Sequence, residues 1–249
     1  MVCKKYSTLP VLGYDVFSSA LNDVNLETSK ILINTFSPNS YGLALKDKNF
    51  RESLKNSDIL VLDGIGIALG SILLNGKNIR KISGQDCFDY FMHEANEKKW
   101  RVFFLGASEE TLKKIVMRVW EEYPGIKTSS HSPPFKPMFT MDDKEVMIRD
   151  INKFNPDILF VGLTAPKQEK LAYEIKNLVD ARIIITIGNV FDWYAGNSKR
   201  PSEFWIKLRL EWFIRIFLRP EIFKRNTKNQ LIFLRDLFLH ITCIRKIKV

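Results

Sequence analysis

Ser57-Asp58-Ile59-Leu60-Val61-Leu62-Asp63-Gly64-Ile65-Gly66 is the stretch on which the fold turns. Ile59–Leu62 is an uninterrupted apolar run of strand length, the pattern of a strand covered on both faces. It ends on a carboxylate and a glycine turn, and a mostly apolar segment of helical length, Gly66–Leu74, follows. Strand, tight turn and helix in that order form the repeating unit of a doubly wound sheet.

The same alternation extends in both directions. Upstream, Ile31–Thr35 predicts a strand and Tyr41–Asn56 a helix. Downstream the pattern predicts a helix over Gln85–Lys99, a strand over Arg101–Leu105, a helix over Glu109–Glu122 and a strand over Ile126–Ser130. Then come a helix over Asp142–Phe154, a strand over Ile158–Gly162, a helix over Pro166–Val179 and a strand over Arg182–Ile187. Tyr123-Pro124-Gly125 and Asn155-Pro156-Asp157 punctuate the ends of helices just before strands. The expected fold is α/β: a Rossmann-like, mostly parallel sheet with helices on both faces.

After Gly196 the pattern changes. Phe204–Arg225 and Leu231–Ile247 predict helices rich in aromatic residues and cations, with no further strand. The expected organisation is a catalytic domain over residues 1–196 and a helical C-terminal appendage over 197–249. From residue 197 onward there are thirteen Lys/Arg against four acids, so nine of the ten net positive charges lie there. A nearly neutral body with a basic, aromatic tail fits an anionic membrane surface better than a nucleic-acid groove. Phe204–Phe217 also suits a helical cap on the sheet with its cations in water, whereas Leu231–Val249 predicts an interfacial segment.

No apolar run approaches the roughly 18–20 residues of a membrane span. The N-terminus carries no long apolar signal region, so the expectation is a cytoplasmic protein, peripheral on the inner face of the membrane. Cys3, Cys87 and Cys243 have neither paired spacing nor nearby His partners, which argues against a disulfide framework or a zinc site. The three histidines are scattered, and there is no Asp-x-Asp pair to hold a divalent ion against a diphosphate. No metal and no cofactor are expected; oligomeric state stays open, a homo-oligomer included.

Ligands of an open parallel sheet bind beyond the carboxyl ends of its strands. Four segments fall there: Thr35–Asn39, Asp63–Gly66, Gly162–Glu169 and Gly188–Asp192. Asp63-Gly64-Ile65-Gly66 has the outline of a dinucleotide fingerprint, but a carboxylate at the strand end would repel a pyrophosphate. Asp86 falls where a helix begins and suits a cap. Asp63 fits a general base beside glycines that admit a hydroxyl-bearing substrate closely, or a cap for the following helix. Ala165-Pro166-Lys167-Gln168-Glu169 opens a helix whose free amides could hold an anion, with Lys167 adding charge and Glu169 favouring the dipole.

These segments, in this order, resemble the WecG/TagA/CpsF family of glycosyltransferases. The likeness covers about residues 30–225. It is carried by Thr35-x-x-Pro38, Ser57-Asp58-Ile59-Leu60-x-x-Asp63-Gly64-Ile65-Gly66, Gly84-x-Asp86 and Val102-Phe103-Phe104-Leu105-Gly106. It continues through Tyr123-Pro124, Pro156-Asp157-x-Leu159-x-Val161-Gly162 and Ala165-Pro166-Lys167-Gln168-Glu169. Phe191-Asp192-x-x-Ala195-Gly196, Lys199-Arg200-Pro201 and Glu211-Trp212-x-x-Arg215 complete it.

The resemblance implies an inverting, metal-independent transfer of a sugar, typically of N-acetylmannosamine type, from a UDP-sugar to a polyprenyl-pyrophosphate-linked sugar in surface-polysaccharide assembly. It implies Asp63 as the base, Thr35 lining the site and Gln168 bonding substrate. Arg215 and Arg225 match arginines that close over the pyrophosphate. Asn39, Gly64, Gly66, Lys167, Asn189, Asp192 and Arg200 are the further binding candidates. Two departures stand out: Ser37 replaces the Asn usual before Pro38, and Arg219-Pro220-Glu221-Ile222 replaces Glu-Pro-x-Arg, which makes Arg219 a candidate for the displaced cation. The competing expectations are a Rossmann enzyme of another class that uses a nucleotide cofactor, and a non-catalytic membrane-binding protein.

Overall fold

A computed structural model describes residues 6–24, 30–198 and 220–242, with residues 220–225 described in backbone only. Two short strands come first, β1 (Thr8–Val11) and β2 (Tyr14–Phe17), paired antiparallel. The alternating pattern that predicts the sheet starts at Ile31 and does not reach them. Their turn, Leu12-Gly13, has positive φ at both residues, which suits a two-residue hairpin.

The main sheet follows: β3 (Ile31–Phe36), β4 (Ile59–Leu62), β5 (Arg101–Gly106), β6 (Lys127–His131), β7 (Ile158–Gly162) and β8 (Ile183–Thr186). Its order is β4-β3-β8-β7-β5-β6 and every pairing is parallel. All the strands expected from residue 31 onward are present, within two residues at each end.

The helices are α1 (Pro38–Ala44), α2 (Lys48–Lys55), α3 (Ile65–Asn75), α4 (Gly84–Glu97), α5 (Glu109–Glu122), α6 (Met141–Phe154), α7 (Lys167–Ile175), α8 (Val190–Tyr194) and α9 (Pro220–Ile241). One expected helix, Tyr41–Asn56, is two. Asp47 breaks it, because its carboxylate accepts the Phe50 N–H at 3.0 Å and pairs with Lys170 of α7 at 2.8 Å. An interior Asp that caps a new helix and holds a cation outcompetes continuation of the old one. The expected helix over Pro166–Val179 is shorter, ending at Ile175, and the five-residue α8 was not expected at all. The helix containing Leu231 begins at Pro220, within the expected Phe204–Arg225 segment. Proline is favoured at a first helical position because its missing N–H needs no partner there. Residues 204–219 lie outside the described residues.

Three buried clusters hold these layers. One, with Phe88, Phe91, Ile115 and Phe191, fills the face under α4, α5 and α8. A second, with Met147, Ile151, Leu171 and Ile175, lies under α6 and α7 on the opposite face. The third joins the hairpin, α1, α2 and α3 to Phe233 and Leu237 of α9. Leu231–Val249, expected to lie at an interface, therefore has one face within the core in its described part.

Two carboxylates of the quoted motifs fasten the amino ends of strands. Asp58 accepts the Leu32 N–H at 2.7 Å and pairs with Lys176. Asp157 accepts the Arg101 N–H at 2.8 Å and pairs with Arg182 at 2.6 Å. Both sit at the end of the sheet away from the candidate site.

Candidate active site

The strand order brings the four sequence-selected segments together. Read across the carboxyl rim, the loops after β4, β3, β8 and β7 are neighbours, so Asp63, Thr35–Asn39, Gly188–Asp192 and Leu163–Gln168 follow one another. The chain leaves β3 toward β4 and later returns to lay β8 on its other side, so the crevice lies at a topological switch point.

Asp63 stands, half-buried, at the β4 end of this row. Its N–H donates to the Phe36 carbonyl at 2.8 Å, extending the ladder one step beyond β4. Thr35 pairs with Val61. Alternation along a strand then puts Thr35 and Asp63 on the same face of the sheet, the one under α4. Cys87 of α4 senses this arrangement: burial, then the charges of Asp86 and Asp63, push its thiol pKa up. Gly64 has φ of 97°, where a side chain would be strained, and it is the N-cap of α3. Asp63 therefore stands one position outside the cap. A Cβ on Gly66 would lie 2.6 Å from Pro38 Cγ, so the glycine lets the loops after β3 and β4 close on each other. That contact ties the two halves of the motif, Thr35-x-x-Pro38 and Asp63-Gly64-Ile65-Gly66, into one unit. Ser37, where the family usually has Asn, caps α1 by accepting the Ser40 N–H at 3.2 Å.

The β7–β8 side is a wall of mutually bonded groups. Gln168 is buried, and its Oε1 accepts the Gly188 N–H at 3.0 Å and the Leu163 N–H at 3.4 Å. Its Nε2 donates to Glu169 at 2.9 Å. Gln168 thus clamps the ends of two strands. Glu169 lies in the first turn of α7, where it was expected to favour the helix dipole. It is also fully buried with Oε2 unpartnered, and burial pushes its pKa up to about 7. Lys167 donates to the Lys136 carbonyl at 2.8 Å and lies over the Phe139 ring, which ties it to the loop before α6. Asn189, with its amide oriented by its partners, donates to Asp192 at 2.8 Å and accepts from the Trp193 indole at 3.1 Å. Gly106 and Gly162 face each other with no room for side chains, and the Phe191 ring sits directly on Gly162.

Asp86 completes a capping box with Ser83 at the start of α4, as its sequence position suggested. It is thus engaged as a cap, not as the ribose-binding acid of a dinucleotide fold. Among the described residues no three His, Cys, Asp or Glu side chains group as a metal site.

α9 reaches the site through α1. Asn229 packs into a notch at Gly42, donates to Asn39 at 2.9 Å and accepts from Lys46 at 3.1 Å. One turn on, Phe233 stacks edge-on against Tyr41; Tyr41 in turn donates to buried Asp236 at 3.0 Å, and Asp236 also pairs with Arg235. Because Phe233 and Leu237 meet Gly66 and Gly70, α9 runs parallel to α3, with Asn229 at the level of the rim through its bond to Asn39. Arg225 is one turn before Asn229 on that helix; Arg200, Arg215 and Arg219 lie outside the described residues. Asn229, Tyr41 and Asp236 went unnoticed in the sequence. Their only signal was polarity inside an otherwise amphipathic segment.

The chain is similar to known bacterial enzymes. The chain is 34% identical over 194 residues to the N-acetylglucosaminyldiphosphoundecaprenol N-acetyl-beta-D-mannosaminyltransferase of Bacillus subtilis (strain 168), covering 78% of this chain and 74% of that one. It is 30% identical over 210 residues to the enzyme of the same name from Bacillus spizizenii, covering 84% and 80%. Against the Staphylococcus aureus (strain NCTC 8325) enzyme it is 26% identical over 194 residues, covering 78% and 74%. The family profile matches residues 10–246, and with an Asp-Gly-x-Gly turn at the switch point of a parallel sheet the chain belongs to the glycosyl transferase WecG/TagA/CpsF family.

Proposed function

We propose that the chain transfers an N-acetylmannosamine-type sugar from its UDP-activated form to a polyprenyl-diphosphate-linked N-acetylglucosamine. The relatives' names supply the acceptor and the transferred sugar. The observation that carries the reading is Asp63, a half-buried carboxylate on a glycine turn at the carboxyl rim of the sheet, on the same sheet face as Thr35.

Asp63 takes the proton from the acceptor hydroxyl as that oxygen attacks the anomeric carbon. The bond to the UDP oxygen breaks on the opposite side, UDP leaves with the electron pair, and configuration inverts. UDP is a stable leaving group, so a single base suffices, whereas glycoside hydrolysis needs a second carboxyl to protonate its leaving group. Charge building on the diphosphate needs cations rather than a proton. Arg200, Arg215, Arg219 and Arg225 of the appendage are the residues assigned to it, acting without a metal. The enzyme works at the cytoplasmic face of the membrane.

The test is UDP release across a panel of UDP-sugars with a synthetic polyprenyl-diphosphate N-acetylglucosamine, run with and without EDTA. Turnover of UDP-N-acetylmannosamine that survives EDTA supports the reading. Turnover with no lipid-linked acceptor, or none with any UDP-sugar, removes it.

A further inference from the structure

Stability alone does not account for Glu169. It is 1% exposed, and its Oε2 has no hydrogen-bond partner among the described residues. Besides its own backbone N–H, the one group bonded to it there is Gln168, whose Nε2 donates to Oε1 at 2.9 Å. A buried carboxyl with one oxygen unmet costs stability, and an apolar side chain of similar length would remove that cost. What Glu169 contributes is therefore its bond to Gln168.

A glutamine amide has two accepting positions on its oxygen and two N–H donors. In Gln168 the oxygen accepts from Gly188 and Leu163, and one N–H goes to Glu169. Those bonds leave one N–H over. Beside it lies space: among the described residues, a Cβ built on Gly188 would meet only Gln168 Nε2 within 4 Å, at 3.9 Å. Held through its oxygen alone, the amide could pivot about that atom. The bond to Glu169 on the nitrogen side prevents the pivot. Gly188 follows β8, two strands from β4, so this donor lies about 10 Å along the rim from the Asp63 end. A carboxylate so close to the donor disfavours the oxygens of a diphosphate. A neutral oxygen, that of a hydroxyl or of an N-acetyl carbonyl, suits it.

We propose that Glu169 is the positioning residue for Gln168: it locks the amide so that the remaining N–H points over Gly188 and donates to a neutral oxygen of the sugar substrate. The inference rests on the transferase reading above. It adds the residue that aims Gln168 and the polarity of the substrate group that Gln168 meets.

The test compares wild type with Glu169→Met, Glu169→Gln, Gln168→Ala and the double variant Gln168→Ala/Glu169→Met. It reads kcat/KM for transfer from UDP-N-acetylmannosamine to the lipid-linked acceptor, the urea midpoint at pH 8, and amide exchange at Gly188 and Leu163 by NMR. Glu169→Met should keep or raise the midpoint, speed exchange at both amides and lower kcat/KM about tenfold. Glu169→Gln retains an accepting oxygen and should recover turnover to within about threefold of wild type. In the double variant the two losses should not add, because Glu169 acts through Gln168. Wild-type kcat/KM in folded Glu169→Met overturns the proposal, as does full additivity or a Glu169→Gln as impaired as Glu169→Met. A Glu169→Met that unfolds, or that melts at lower urea, makes the residue structural and overturns it too. If the wild type transfers no sugar, the transferase reading fails. Exchange then decides the positioning separately: faster rates at both amides in Glu169→Met support it, and unchanged rates overturn it.

Discussion

The two ends of the carboxyl rim are built on opposite plans. At the β7–β8 end, side chains bond to each other and to backbone: Gln168 to Gly188 and Leu163, Glu169 to Gln168, Asn189 to Asp192 and Trp193. At the β3–β4 end, Gly66 seats Pro38, the Asp63 N–H bonds the Phe36 carbonyl, and the Asp63 carboxylate stands just beyond the edge strand. A group bonded on every side cannot change partners during a reaction without exposing buried polar atoms. A half-buried carboxylate at the end of the row can meet an incoming hydroxyl. On the proposed function, rigidity belongs to the first end and chemistry to the second.

The contrast breaks most directly at Asp63. Asp63→Asn should lower transfer to a lipid-linked acceptor by about 10²–10⁴-fold, with an unchanged melting profile. Near-normal UDP release by this variant would return the residue to a structural role. At the bonded end the effect should appear in stability instead. Glu169 has its pKa raised from 4.5 to about 7, so the folded state holds its proton more tightly than the unfolded chain does. Its stabilising share is full below about pH 4.5 and is lost as pH rises to about 7. Glu169→Gln should abolish this slope and leave the variant more stable relative to wild type at pH 8 than at pH 5, by on the order of 3 kcal/mol. Urea titrations at the two pH values measure it; parallel shifts would show that the carboxyl is already ionised.

Gly162→Ala should cost about 2 kcal/mol, because its Cβ would lie 2.3 Å from the Phe191 ring. A wild-type urea midpoint would mean that the ring moves freely and the wall is not rigid. The smallest effect belongs to the joint between the rim and α9. Tyr41→Phe removes the bond to Asp236 and should lower stability by about 1–2 kcal/mol. Faster hydrogen exchange confined to α9 would locate the change there; uniform acceleration would mean that the helix unfolds only with the whole domain.

Much of this was legible in one dimension. Ile59–Leu62 and Ile158–Gly162 were readable as strands because a run buried on both faces is apolar at every position. Asp86 was readable as a cap because Ser83 stands three residues before it, and capping is local. Asp47 was missed as a helix break because the cation that holds it, Lys170, lies on a distant helix. Gln168 was singled out for a substrate role, and nothing in its neighbours shows that two backbone amides already occupy its oxygen.

The sequence by itself determined the alternation of strand and helix, the parallel character of the sheet and the glycine turn that presents Asp63. Each depends on periodicity, burial of short apolar runs or backbone conformation, all properties of neighbouring residues. Only the tertiary structure decided that Phe233 and Leu237 belong to the core while Leu234 and Phe238 do not. It alone made Gly66 the seat of Pro38, buried Glu169 and set α9 beside α3. The physical reason is that burial of an apolar side chain and satisfaction of a polar one depend on the elements packed against them, and those come from remote parts of the chain.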